Sequence, residues 1–140
     1  HWGGVDEPFD VYYERMMEFV RHTKDFDYSL WFAAYEGGQV CGTAMNMPKT
    51  QEDEGMGWVN TLGVRRPWRK QGVGLALLQH TFGEFYRRGT SRVGLGVDAS
   101  SLTGATRLYE RAGMQILRAY NVYEKEIRAG QDLATRSIEA

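Results

Sequence analysis

The stretch Val64-Arg65-Arg66-Pro67-Trp68-Arg69-Lys70-Gln71-Gly72-Val73-Gly74 constrains this chain more than any other. Ahead of it, Met56 to Val64 reads as a strand. Behind it, from about Val73 to Arg88, Leu75, Leu78, Phe82 and Phe85 recur at spacings of three or four, as on one face of an amphipathic helix. A strand therefore runs into a basic, glycine-containing turn and out into a helix. The first backbone N–H groups of a helix have no intrahelical partner, and the helix dipole favours negative charge at that end. Gly72 and Gly74 carry no side chain, so a phosphate can approach the backbone, and Arg69 and Lys70 add positive charge at the rim. Glycine spacing alone is equally compatible with a tight turn bearing solvated basic residues. Two other phosphate loops do not fit. The P-loop needs Gly-Lys followed by Ser or Thr, which is absent. A dinucleotide-like pattern at Gly94-Leu95-Gly96-Val97-Asp98-Ala99 falls inside a strand rather than between strand and helix.

The rest of the chain arranges itself around this turn. His1 to Phe9 is irregular. Asp10 to Arg21, with Val11, Met16, Phe19 and Val20, predicts an amphipathic helix capped by Asp10. Leu30 to Tyr35 and Gln39 to Met47 read as strands joined at Gly37-Gly38, a hairpin signal. Pro48 ends the second, and Lys49 to Gly55 is a polar, acidic loop. Gly89 stops the central helix. Ser91 to Val97 predicts a strand, Thr103 to Arg111 a helix, and Met114 to Ile127 a long final strand before a polar tail. Hairpin-linked strands followed by strand–helix crossovers predict a mixed sheet in an α/β (α+β by some schemes) fold. At 140 residues the chain is one domain, expected over 1–128, with 129–140 as tail.

Composition closes off several function classes. The 17 basic residues are matched by 18 acidic ones, without the basic excess that gripping a nucleic-acid backbone needs, so no nucleic-acid partner is expected. Cys41 is the one cysteine: it forms no internal disulfide and fits a reducing, cytoplasmic compartment. Inside a strand, it reads as a buried, inert thiol. No apolar run approaches the roughly 18–20 residues of a membrane span, and no signal-peptide pattern opens the chain, so no membrane association is expected. His22 and His80 lie on helices with no second ligand at metal spacing, so no metal is expected.

Two blocks carry a family resemblance. Arg69, Gly72 and Gly74 match an Arg or Gln, two residues, Gly, one residue, then Gly or Ala. Leu108-Tyr109-Glu110-Arg111-Ala112-Gly113-Met114, preceded by Ala105, matches a Leu-Tyr-x-x-x-Gly-Phe signature. Together, in this order, they resemble the acetyl-CoA-binding machinery of the GNAT N-acetyltransferase superfamily, over roughly Val11 to Ile127. The resemblance implies a mixed sheet splayed between the strand ending near Val64 and the strand Ser91 to Val97. The pantetheine arm would lie in that splay, and the family's usual first strand has no clear counterpart. This is similar to one half of a tandem GNAT protein, with a covalently linked second domain or a homodimer as partner.

The resemblance also distributes roles. The pyrophosphate of acetyl-CoA would sit on Arg69, Lys70, Gln71, Gly72, Val73 and Gly74. Leu62, Gly63 and Val64 would line the arm, with the Val64 N–H on the carbonyl oxygen, and Ser101 would replace a family Asn that contacts pantetheine. Tyr109 is the candidate general acid, its phenol near pKa 10 donating to a thiolate whose thiol lies near 8.5. The general base is less defined. Relatives often carry Glu or Asp four residues before Val64, and here that position is Asn60, which can orient a water or the substrate but not accept its proton. Asp98 is the nearest alternative carboxylate, with a capping role as its other reading; ordered water is a third route. The expected acceptor is a small-molecule or peptide amine, and the rival reading is a non-catalytic CoA-binding half. The acidic run Gln51-Glu52-Asp53-Glu54 reads as solvated or as attracting a cationic acceptor. Trp31, Phe32 and Trp58 read as core or as acceptor-pocket lining.

Overall fold

A computed structural model describes residues 7–98, 104–123 and 125–130. Helix α1 (Phe9–His22) is followed by a 3-10 turn at Tyr28–Leu30, strands β1 (Trp31–Glu36), β2 (Gln39–Met47) and β3 (Met56–Val64), and a 3-10 turn at Arg66–Trp68. Helix α2 (Val73–Arg87), strand β4 (Arg92–Leu95) and helix α3 (Ala105–Arg111) complete the described elements. The sheet order is β1-β2-β3-β4. The first two pairings are antiparallel and the third is parallel, which is the mixed sheet expected from the sequence.

The β1–β2 turn depends on its glycines. Gly37 and Gly38 have φ of 55° and 76°, the two positive values a tight hairpin turn of this hand needs. Helix α2 lies on one sheet face and buries Leu77, Leu78, Thr81 and Phe85 against Ala44, Val59 and Leu30. Close approach is what permits this. A Cβ on Gly42 would stand 3.0 Å from Val73 Cγ1 and 3.1 Å from Leu77 Cδ1, and one on Gly57 would fall 2.5 Å from Phe85 Cε1. Buried Asn46 donates from Nδ2 to Leu30 O at 2.7 Å, tying β2 to the start of β1 beneath the helix.

Three expectations are corrected. Asp10 does not cap α1: the helix begins earlier, with Pro8 at the N-cap and its carbonyl accepting from Tyr12 N–H at 3.0 Å. The strand expected over Ser91 to Val97 is only Arg92–Leu95, because its partner β3 leaves it beyond Val59. Among the described residues of Met114 to Ile127 there is no strand. An alternating apolar segment becomes a strand only with a ladder partner, and Ile116 and Val122 are 86% and 93% exposed. The helix expected from Thr103 is described from Ala105; Thr103 itself lies outside the described residues.

The C-terminal end of α2 is bolted to the turn before β1. Arg88 Nη1 donates to Asp27 Oδ2 at 2.6 Å and Arg88 Nε to Glu84 Oε1 at 2.6 Å. Asp27 Oδ1 accepts from the Ser29 hydroxyl at 2.5 Å and its amide at 2.8 Å. The Ser29 hydroxyl, then Arg88, hold the Asp27 carboxyl down at about 2 against an ordinary 3.8. A depressed carboxylate pKa stabilises the fold above the unfolded value, and that contribution is lost as pH falls through the folded one. Asp27→Asn should therefore lower the urea midpoint at about pH 6, and the gap from the parent should close as pH falls from about 4 to 2. A gap constant with pH would contradict the assignment.

Candidate active site

The site begins where two strands part. β3 and β4 pair from Met56–Arg92 to Val59–Leu95 and no further. On its other edge β3 stays with β2, but the register jumps: Met45 faces Thr61 while Asn46 faces Val59. Asn60 is the extra residue of a β-bulge, a device that bends a strand and re-aims its side chains. Beyond it, β3 runs four residues with β2 alone among the described strands. Arg65 N–H donates to Cys41 O at 2.9 Å. Hydrogen-bonded and non-bonded pairs alternate along an antiparallel ladder. With Thr43 opposite Gly63 and Gly42 opposite Val64, Gly63 turns its backbone groups toward β2, whereas Leu62 and Val64 turn theirs into the gap that β4 has left. The Val64 carbonyl confirms that direction by accepting from Arg69 Nε at 3.1 Å.

The turn after β3 closes the open end of this gap. Lys70 and Gly72 both take left-handed conformations, with φ of 62° and 88°, and Gly72 is the N-cap of α2. Successive amides in such a bend form a concavity that suits an anion. The first helical bond runs from Ala76 N–H to Gly72 O at 2.9 Å. Among the described residues, the amides of Lys70 to Leu75 make no hydrogen bond. The turn is braced from behind. Gln71 Nε2 donates to Pro67 O at 2.8 Å, the Trp68 indole N–H donates to the Glu36 carboxylate, and the Arg65 guanidinium stacks over the Trp68 ring at 5.0 Å. Sequence reasoning missed this bracing by Glu36 and Trp68; the partners lie 32 residues apart, and no local spacing marks them.

The two turn glycines have different duties. A Cβ on Gly72 would meet nothing within 4 Å, so its requirement is conformational. A Cβ on Gly74 would lie 3.1 Å from Leu108 Cδ2 and 3.6 Å from Val64 Cγ2, so it lets α3 close against the first turn of α2. Leu108 is thereby seated beside the turn, with Tyr109 next to it. Tyr109 is half-buried, and its burial pushes the phenol above its ordinary 10. A phenol in that state is protonated throughout the neutral range and available as a proton donor.

Asp98 sits three residues past the end of β4, on the surface. Ser101 lies outside the described residues. Asn60 faces a different space, a cavity of about 310 Å³ between α1 and the sheet, where it meets Thr61, Trp31 and α1 side chains. Two consecutive residues, Asn60 and Thr61, reach this one cavity because of the bulge. The α1 lining was not read from the sequence, although Tyr12, Met16 and Phe19 recur there at spacings of four and three. A second cavity of about 740 Å³ lies between β1 and α2, with Phe32 edge-on to His80 at 4.6 Å. Trp58 packs over Gly94, where a Cβ would lie 2.9 Å from the indole. Cys41 is buried. The acidic loop is paired: Asp53 to Arg92 at 2.9 Å, Glu54 to Lys49 at 2.9 Å, and Glu52 to Arg118 at 3.8 Å. Among the described residues, no three His, Cys, Asp or Glu side chains gather as a metal would need, and no helix is long and apolar enough to cross a membrane.

A parallel strand pair thus parts before a left-handed turn at a helix N-terminus, whose amides have no partner among the described residues. The chain belongs to the acetyltransferase (GNAT) family, whose model matches residues 4–114. Among solved structures it is similar to a GCN5-related N-acetyltransferase of Sphaerobacter thermophilus, with 45% identity and TM-score 0.60. That match covers 78% of this chain and 32% of the other, so the chain spans about a third of that protein's length. An IAA acetyltransferase of Bacillus cereus shares the fold at 24% identity and TM-score 0.57, covering 63% of this chain and 56% of that one. So does an aminoglycoside acetyltransferase from an uncultured soil metagenomic sample, at 17% identity and TM-score 0.58, covering 85% and 77%. A comparison with curated proteins returned no match.

The division of labour between the glycines is testable by melting temperature. Gly72→Asn should be tolerated, because Asn visits the left-handed region, whereas Gly72→Val should cost about 1–2 kcal/mol in strain. Gly74→Val should cost about 1–3 kcal/mol by overpacking against Leu108, and the double variant Gly74→Val with Leu108→Ala should recover part of it. Equal effects of Asn and Val at position 72, or no recovery at 74, would contradict these roles.

Proposed function

We propose that this chain is an N-acetyltransferase that moves an acetyl group from acetyl-CoA to an amine by direct attack in a ternary complex. The observation that carries the reading is the run of unpaired amides from Lys70 to Leu75 at the open end of a gap edged by the backbone of Leu62 and Val64. A thread-like donor ending in a diphosphate matches both parts. The amides of the turn, with Arg69 and Lys70 at the rim, would take the diphosphate, and the strand edge would take the amide-bearing arm. Acetyl-CoA supplies the acetyl group as a thioester.

The chain's own residues then have simple tasks. The Val64 N–H donates to the carbonyl oxygen as negative charge develops there, a contribution of a few kcal/mol when the donor is fixed in advance. The amine nitrogen bonds to the carbonyl carbon as the carbon–sulfur bond breaks, and the released proton of the amine passes to water. Tyr109 donates its phenolic proton to the departing thiolate. Asn60 orients the incoming amine. The Asn in place of a carboxylate, and a homologue of which the match covers 32%, support a second reading: a CoA-binding half without turnover, serving a larger protein.

Calorimetry and an amine-panel assay separate these readings. Acetyl-CoA should bind, and Gly72→Val should weaken it at least tenfold. Turnover should fall at least tenfold in Tyr109→Phe with acetyl-CoA affinity retained. Undiminished binding in Gly72→Val would remove the turn from the site; full binding with no turnover on any amine would favour the silent half.

A further inference from the structure

We infer that the cavity between α1 and the sheet selects an acceptor amine with an apolar body and no second positive charge; the inference rests on the acyl-transfer reading above. The floor of this cavity is one cross-strand row. Trp31 faces Met45 in the β1–β2 ladder and Met45 faces Thr61 in the β2–β3 ladder, so the three side chains lie side by side on the α1 face. The wall is one stripe of α1, where Tyr12, Met16 and Phe19 fall a turn apart. Three aromatic rings and two methionines thus surround a space of about 310 Å³, near the small end for ligand pockets and suited to a single ring or a short branched chain.

Charge points the same way. Among the described residues the one charged side chain lining the cavity is Arg15, which pairs with Glu7 and lies 5.8 Å from the Tyr12 ring centroid. Among the described residues no carboxylate lines the cavity. The acidic loop is not part of the lining, and its three carboxylates pair with Arg92, Lys49 and Arg118. A polycation would bring a second ammonium toward Arg15, whose partner Glu7 is already engaged, and would meet no further carboxylate among the described lining residues, an arrangement that interfaces use to exclude wrong partners.

The same surroundings give Asn60 a role. Desolvation among apolar groups lowers the pKa of an ammonium and favours the free base. A carboxylate at position 60 would oppose this by holding the ammonium charged; a neutral amide does not. The bulge sets Asn60 next to Val59, where β4 pairing ends, so the cavity adjoins the inner end of the gap. An amine entering from the α1 side sheds its proton to water, accepts orientation from Asn60, and reaches the thioester carbon without a protein base. Arg15, Phe19 and Trp31 then decide which amines enter.

Two bisubstrate conjugates test this, with CoA sulfur linked through an acetyl group to 2-phenylethylamine or to spermidine, each compared by calorimetry with CoA alone. The phenylethyl conjugate should bind at least tenfold tighter than CoA, and the spermidine conjugate no tighter. Half-exposed Phe19 is a safe site to alter, and Phe19→Ala should erase most of the phenylethyl gain while leaving CoA affinity in place. A spermidine conjugate equal to or tighter than the phenylethyl one, or a gain that survives Phe19→Ala, would overturn the inference while leaving the acyl-transfer reading intact. Loss of affinity for CoA and both conjugates alike would remove the reading and the inference together.

Discussion

The parting of β3 from β4 after Val59 is the constraint on which the rest of the molecule depends. Backbone N–H and C=O groups in a folded chain need partners. Beyond Val59, β3 has only one neighbour among the described residues, and the Asn60 bulge sets which of its residues are spent on β2. Leu62 and Val64 are left facing a gap. A gap edged by strand backbone is built for an extended molecule with amide groups of its own, which could pair as a missing strand would. The turn that follows directly, its amides unpaired among the described residues, lies at the end of that path.

Close packing makes the parting possible. Helix α2 can cover the sheet only because Gly42 and Gly57 leave room for Val73, Leu77 and Phe85, and its first turn can meet α3 only because Gly74 leaves room for Leu108. These glycines divide among three duties: helix–sheet approach at Gly42 and Gly57, helix–helix approach at Gly74, and the left-handed corners at Gly37, Gly38 and Gly72. On the opposite sheet face α1 is held more loosely, with Val20 its single buried residue, and a small apolar cavity remains beneath it. Two faces, one holding the packed scaffold and the other a small cavity, meet at the inner end of the gap.

Much of this was legible in the sequence wherever signals were local. Strands Gln39–Met47 and Met56–Val64 have the expected ends, since Gly37-Gly38 and Pro48 punctuate the first and the glycine turn follows the second. The start of α2 at Val73 was set by the same turn. What failed depends on partners distant in the chain. The apolar alternation after Met114 is real, but alternation does not supply a neighbouring strand. The bulge at Asn60 follows from register across two strands, which no single segment carries, and it decides that Asn60 lines the cavity beneath α1. The same register shows that Gly63, grouped with Leu62 and Val64 on resemblance, turns its backbone away from the gap. Gly74 matched a phosphate-loop pattern, yet its missing side chain serves Leu108, a contact between motifs 34 residues apart.

The central claim is that unpaired backbone of β3 and of the turn before α2 receives an acyl-CoA. Backbone amide spectra recorded during titration with CoA test it most directly, because they report on the very groups invoked. The account predicts the largest shifts at Leu62, Val64 and the run from Lys70 to Leu75, with Gly63 shifting less than its neighbours. Largest shifts instead around Phe32 and His80, in the cavity between β1 and α2, or no saturable shift at Val64, would contradict it.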